Sequence, residues 1–332
     1  MQIAVTGSIA WDNLMHFPGR FTEQLVADKL DNISLSFLVD DLVLRRGGIA
    51  ANIAFGMAQL GLAPMLVGAV GEDLTDYLTW LGEQGVDCGS VRVSETELTA
   101  RFICTTDDDM NQLASFFPGA MSEAREIELA PTADRVGGLD LVVVSPNDPA
   151  AMTRHTRECR DTGYPFMADP SQQLARLSGE EVRDLVDGAA YLITNDYEKS
   201  LLERKTGWTE QDVLDRVKVR ITTHGKDGVQ ISGNDIDTLH VPIAREVRLA
   251  DPTGVGDAFR AGFLSGLSWD LDFARAAQVG SLLATIVIET VGPQDYQIDR
   301  QKFVSRLGEA YGDAAATEVR THLLPADVRS AG

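Results

Sequence analysis

Cationic residues are scarce in this chain. Against 50 aspartates and glutamates stand 29 lysines and arginines, a formal net charge of −21. A surface of that sign repels nucleic-acid backbones and anionic membranes, so neither is expected as a partner. Cysteine is nearly absent. Cys88, Cys104 and Cys159 are widely spaced, and the five histidines form no ligand-spaced cluster with them. Neither a disulfide framework nor a zinc site is therefore expected. Long apolar runs are missing too: the longest aliphatic stretch, near Leu282–Ile288, is far too short to span a bilayer. The opening MQIAVTGS has neither the basic leader nor the apolar core of a signal peptide, and a cytoplasmic location is the expectation.

Two nucleotide-binding motifs are lacking as well. No strand-like run leads into Gly-x-Gly-x-x-Gly; the nearest approach, Gly254-Val-Gly256, comes late and is followed by Asp-Ala-Phe. That weighs against a nicotinamide-dependent oxidoreductase. Gly-x-x-x-x-Gly-Lys-Ser/Thr does not occur, which excludes a P-loop enzyme. Low-complexity tracts, internal repeats and Pro/Gly/Ser linkers are also wanting, so composition marks no domain boundary.

What is present reads as a soluble α/β protein. Its 332 residues, 44% hydrophobic and 24% charged, suffice for one large domain with an added subdomain. Short apolar runs at Ile3–Thr6, Pro64–Gly68, Leu141–Ser145, Phe166–Asp169, Tyr191–Thr194, Val219–Thr222 and Val229–Ser232 read as strands. Amphipathic segments such as Pro149–Thr162, Ser178–Gly188 and Asp196–Lys205 lie between many of them. That alternation predicts a doubly wound, mostly parallel sheet flanked by helices on both faces. Residues 33–39 (ISLSFLV) alternate as a half-exposed strand should, and residues 99–105 and 112–117 flank a polar turn, DDDMN. A small inserted β-sheet lid is the expectation. Segments 11–45 and 98–117 would form it, over a body of 1–10, 46–97 and 118–332.

The segment Asp251-Pro-Thr-Gly-Val-Gly-Asp257-Ala-Phe259 carries the most chemistry. Gly254 and Gly256 permit a tight turn lined by bare backbone, and an apolar helix follows. Amides at such a helix start attract a phosphate. Asp257, in the first turn, could take a proton from an attacking hydroxyl while the amides stabilise the transferring phosphoryl group. Taken alone, Gly-x-Gly-Asp is more often only a turn and a dipole-complementing acid. A second segment, Gly47-Gly48-Ile-Ala-Ala-Asn52, is a Gly-Gly turn feeding a helix whose start and Asn52 amide can bind sugar hydroxyls. Asn195-Asp-Tyr-Glu198 reads as an N-cap with its acidic partner three residues on.

Together these segments resemble the two signatures of the ribokinase-like (PfkB) family of carbohydrate and nucleoside kinases. The resemblance covers essentially the whole chain. It implies Asp257 as catalytic base, with the amides of Gly254, Val255 and Gly256 as anion hole. It makes Asn195 and Glu198 the element that orders Mg²⁺, largely through water, and Thr222–Gly228 the ATP loop, with Thr223, Gly225, Gly228 and Gly256 near the nucleotide. His224 stands where the family commonly has an apolar residue and receives no role. Gly292-Pro-Gln294 resembles the loop that closes over ATP and, with Asp251 and Thr253, holds a monovalent cation (K⁺) in many relatives.

Within the family the chain most resembles the adenosine kinases of actinobacteria, through AVTGSIAWD (4–12), SLSFLVDDLV (34–43), ASFFPGAMSEAR (114–125), ADPSQQLARLSGEE (168–181) and TNDYE (194–198). That implies adenosine as substrate: Asp12, Gly48 and Asn52 on the ribose hydroxyls, Ser8 and Ser36 nearby, Phe102 and Phe116 around the purine, Gln172 at its edge. An aromatic stack on a base is worth about 1–3 kcal/mol, and a free sugar has nothing to stack. Phe102 and Phe116 could instead be lid core or subunit contacts. Lid sheets of this family often pair, which implies a homodimer. A kinase of ribose, fructose or a related furanose, and a non-catalytic nucleoside-binding protein, are the competing readings.

Overall fold

The computed structural model describes residues 1–24 and 36–324. In chain order the strands are β1 (Ile3–Thr6), β2 (Ala10–Phe17), β3 (Asp41–Gly47), β4 (Met65–Gly71), β5 (Asp87–Ser94), β6 (Ala100–Asp107), β7 (Gln112–Phe117), β8 (Leu141–Val144), β9 (Phe166–Ala168), β10 (Tyr191–Asn195), β11 (Val219–Thr223), β12 (Val229–Gly233) and β13 (Ile236–Val241). The helices are α1 (Phe21–Gln24), α2 (Ile49–Gln59), α3 (Thr75–Glu83), α4 (Ala130–Val136), α5 (Pro149–Thr162), α6 (Gly179–Val186), α7 (Asp196–Thr206), α8 (Glu210–Leu214), α9 (Val255–Ser268), α10 (Phe273–Ile288), α11 (Arg300–Tyr311) and α12 (Asp313–Leu323).

Among the described residues, nine strands form one sheet in the order β13-β12-β11-β10-β9-β8-β1-β4-β5. The run from β5 to β11 is parallel, and β12 and β13 close the edge antiparallel. Successive side chains along a strand face opposite ways, so each strand feeds two cores. Ile3, Val5, Leu141 and Val143 pack with α2, α9 and α10 on one face. Ala4, Val142 and Val144 pack with Met152 of α5, Val182 of α6 and Leu202 of α7 on the other. The small residues of α9 let helices close in. A Cβ on Gly262 would stand 2.7 Å from the Gly280 Cα, and one on Gly56 would stand 2.6 Å from the Ala261 methyl.

A second sheet of four strands has the order β3-β2-β6-β7. The DDDMN turn does join β6 to β7, which pair antiparallel with Phe102 opposite Phe116. The strand read over residues 33–39 is a different matter. Residues 33–35 lie outside the described residues, and 36–39 are not in a strand. The ladder is set by β2, whose Ala10 to His16 pair with Gly47 to Asp41, and it ends where the Asp40 amide donates to the His16 carbonyl. Pairing, which local alternation cannot report, moves the strand along to Asp41–Gly47.

Candidate active site

The functional segments gather at the carboxyl ends of the parallel strands, where an open α/β sheet leaves a crevice. Ser8 follows β1, Asp169 follows β9, Asn195 ends β10 and Thr223 ends β11. Two helix starts face one another there. Gly48 precedes α2 with φ +95°, and any Cβ on it would stand 2.5 Å from the Ser8 carbonyl oxygen. Gly254 precedes α9 with φ +76°, its missing Cβ leaving room for Pro293 at 2.5 Å.

Asp257 sits in the first turn of α9. Among the described residues, the backbone N–H groups of Gly254, Gly256 and Asp257 have no hydrogen-bond partner, while Val255 reaches only a distant Pro252 carbonyl at 3.4 Å. The helix therefore presents unpaired donors next to the carboxylate. Protein surrounds Asp257, yet it keeps an opening to solvent. Burial pushes its carboxyl up to about 6, against the pull of Arg260 and of a hydrogen bond from Asn52. At neutral pH it is ionised and close to its titration range, as a general base should be.

Asn52 is held from behind. Its Nδ2 donates to Asp257 Oδ2 at 2.8 Å, and its Oδ1 accepts from Gln294 Nε2 at 2.7 Å. Gln294 Nε2 also lies 2.6 Å from the Tyr77 hydroxyl, which donates to the Gly47 carbonyl at 3.1 Å. All three side chains are buried. The chain Tyr77–Gln294–Asn52 fixes which end of the Asn52 amide meets the carboxylate.

The lid sheet contributes a transverse row. Register places Arg45 opposite Asp12, Asp12 beside Phe102, and Phe102 opposite Phe116. Residues opposed in register share a face, so these four point the same way. Burial pushes the Asp12 carboxyl up to about 6, outweighing the nearby Arg45 charge. Phe102 is half-buried and Phe116 is exposed on the edge strand. Ser8 accepts from the Ile49 amide at 3.0 Å, pinning the start of α2.

Asn195 and Glu198 form a reciprocal cap at the start of α7, each bond 2.8 Å long. Burial pushes the Glu198 carboxyl up. Asn195 is in register with Thr223, and the Gly225–Gly228 turn follows, its His224 ring 2.6 Å from Asp196 Oδ1. Among the described residues no cluster of three or more acidic, histidine or cysteine side chains could hold a metal. The Asp251–Thr253 turn fits a monovalent cation poorly. Asp251 already accepts from the Thr253 and Gly292 amides, and Arg45 Nη1 stands 3.3 Å away.

Ser36 is exposed and outside any strand, and Gln172 is exposed on a 3₁₀ turn where Ser171 Oγ lies 2.8 Å from its Oε1 and 3.3 Å from Glu198 Oε1. Sequence reading missed others. Arg260 pairs with the fully buried Asp169 through two bonds of 2.6 Å directly beneath the site. A charge inside the apolar run Ala258–Leu264 was the available signal. A surface hollow of about 1540 Å³ lies on the flank of α5 and α6 among ion pairs such as Arg125–Asp148 and Arg160–Asp184, and shares no residue with this cradle.

The chain is similar to several known kinases in sequence and shape. The chain matches the family model described as pfkB family carbohydrate kinase over residues 18–300. A nucleoside kinase of Burkholderia thailandensis, solved in complex with inosine, superposes with a TM-score of 0.82 at 37% identity, covering 93% of this chain and 98% of that one. A nucleoside kinase of Methanocaldococcus jannaschii is 28% identical over 263 residues, 79% of this chain and 85% of its own length. The ribokinase of Bacillus subtilis is 27% identical over 252 residues, 75% of this chain and 83% of its own.

Proposed function

The chain belongs to the pfkB family of carbohydrate kinases, and we propose that it transfers the γ-phosphoryl of ATP to the 5′-hydroxyl of adenosine, giving ADP and AMP. One observation carries the reading: an ionised, desolvated Asp257 beside unpaired helix-start amides. The choice of adenosine among nucleosides rests on the sequence resemblance to actinobacterial adenosine kinases. The B. thailandensis relative was solved with inosine, so discrimination between purines is part of the test.

In this reading Asp12, Gly48 and Asn52 hold the ribose, and Phe102 and Phe116 flank the base under the lid formed by segments 11–45 and 98–117. ATP lies across the groove from Asn195 to Gly228. Asn195 and Glu198 would hold Mg²⁺, largely through water, and the bound ion would supply charge neutralisation at the phosphates. Asp257 accepts the hydroxyl proton while the Gly254–Asp257 amides take the charge that develops on the phosphoryl oxygens. Lid closure excludes water that would otherwise hydrolyse ATP. No step is routed through a monovalent cation, because Arg45 already meets the Asp251 carboxylate.

The test is ADP release from purified protein with adenosine, inosine, guanosine, ribose and fructose in parallel. Adenosine is expected to give the highest kcat/KM; a preference for free sugar makes the protein a furanose kinase and removes the role given to Phe102 and Phe116. Asp257→Asn is expected to keep nucleoside binding and lose turnover by about 10²–10⁴-fold. Unchanged turnover would remove the base.

A further inference from the structure

Arg260 is placed against the logic of helix stability. It lies one turn after Gly256, on the same face of α9, and a helical side chain leans toward the helix start. Its guanidinium therefore lies beside the first turn, where the backbone already concentrates positive charge and a cation is unfavourable. The side chain is only 9% exposed. Desolvation of an arginine in such a place needs a strong counterpart, and Asp169 is one: Nε and Nη2 each meet a carboxylate oxygen at 2.6 Å.

A purely structural pair would stop there, and this one does not. The third nitrogen, Nη1, makes no hydrogen bond, and it is not among the polar atoms sealed away from solvent. It points at the site: a Cβ on Gly256 would stand 3.0 Å from Nη1. The missing side chain at Gly256 thus does two things, freeing backbone and leaving room for a guanidinium nitrogen. Electrostatics gives the same location from two directions. Arg260 is the chief charge holding down the Asp257 pKa, and it acts in the same sense on Glu198. It acts on both the carboxylate assigned to the acceptor hydroxyl and the one assigned to the metal-bearing phosphates.

We infer that Arg260 is a further catalytic residue, whose Nη1 contacts the γ-phosphoryl group as it crosses from ATP to the acceptor, with Asp169 as the residue that aims it. This rests on the assignment of Asp257 and the α9 start above. A planar guanidinium locked on two nitrogens offers its remaining N–H groups in a fixed direction, which a mobile lysine cannot do. It adds charge-assisted N–H donors to a cradle otherwise made of backbone amides, and its charge, partly balanced by Asp169, opposes the repulsion that Asp257 and Glu198 exert on an arriving phosphate.

Removing Arg260 alone would strand a buried Asp169, so the informative variant is the neutral pair Arg260→Gln with Asp169→Asn. Calorimetry measures affinity for Mg²⁺ with ADP and with the non-hydrolysable imido analogue of ATP, alongside kcat. The inference expects imido-ATP affinity to fall about tenfold, ADP affinity to hold within about twofold, and kcat to fall by about 10²–10³. Equal loss for both nucleotides, or no loss for either, overturns it. Should the double variant not fold, Arg260→Lys decides by the same comparison, a selective loss for imido-ATP supporting the contact and a parallel one refuting it. Asp257→Asn separates the two assignments, because it is expected to lose turnover while imido-ATP affinity stays.

Discussion

At the scale of single residues, Asp257 couples activity to stability through one number. Its carboxyl is pushed up to about 6 by burial, well above the usual 3.9 or so of an aspartate in an unfolded chain. Only the ionised form accepts a proton, so kcat/KM is expected to fall as pH drops through about 6. The stability effect has the opposite sign. A raised folded pKa means that the native state binds the proton more tightly, so the ionised group costs stability above that pH, and the cost is relieved between about 6 and 4. Asp257→Asn is accordingly expected to stabilise the protein by about 1–2 kcal/mol at pH 7.5, after allowance for the opening to solvent. A thermal melt should show the gain shrinking toward pH 4; a loss of stability at pH 7.5 would contradict the desolvation argument. Gln294 is the second residue-scale case. Gln294→Leu removes the donor that orients Asn52, and Asn52 is one of the groups that lower the Asp257 pKa. Its acidic limb in a pH–rate profile should move up, with kcat at pH 7 falling about tenfold; an unmoved limb would leave Gln294 a packing residue. The turns and helix starts around Gly48 and Gly254 could be read from the sequence because that chemistry is local, while the roles of Asp257 and Asn52 came from the two family signatures in order. Tyr77 and Asp169 could not, since each acts through a partner tens to hundreds of residues away; the bonds of Gln294 to Asn52 and of Arg260 to Asp169 were hidden for the same reason.

At the scale of elements, the two helices that start at the site are held by backbone proximity rather than by large side chains. Gly262 of α9 faces Gly280 of α10 so closely that an added methyl would meet backbone at 2.7 Å. Backbone cannot swing aside as a side chain can, so Gly262→Ala is expected to destabilise by about 1–3 kcal/mol. Because α9 carries Asp257, kcat should fall as well, and denaturant unfolding beside single-turnover assays would separate the two effects. A neutral result would mean that α10 shifts freely. The core strands of the ribokinase-like sheet were legible because strands covered on both faces are short continuous apolar runs. β2, β5 and β13 were not, being half-exposed strands whose mixed polarity reads as loop. β3 was displaced for a related reason: residues 33–39 have the better alternation, but β2 selects its partner by register along the whole ladder.

At the scale of the whole molecule, the lid sheet leaves an unresolved balance of apolar surface. Its face bearing Asp12 turns to the site, and the opposite face carries Leu42 at 57%, Leu44 at 60%, Ile103 at 36% and Leu113 at 51% exposure. Register aligns them in two adjacent rows, Leu44 and Ile103 on either side of Asn13, and Leu42 and Leu113 on the row through Met15. A contiguous apolar patch on a protein of net charge −21 is unusual for a surface that stays in water. We propose that a second copy of the chain covers it, forming a homodimer through the lid. The apolar rows sit at the centre of such a contact, where they offset the repulsion of two strongly acidic bodies, and high salt should tighten it by screening that repulsion. Light scattering at micromolar concentration is expected to give twice the chain mass for the parent. The paired substitutions Leu44→Glu and Ile103→Glu should give a monomer with an unchanged melting profile of the large sheet. A monomeric parent would overturn the dimer, because closure of the lid over a nucleoside covers the opposite, Asp12-bearing face.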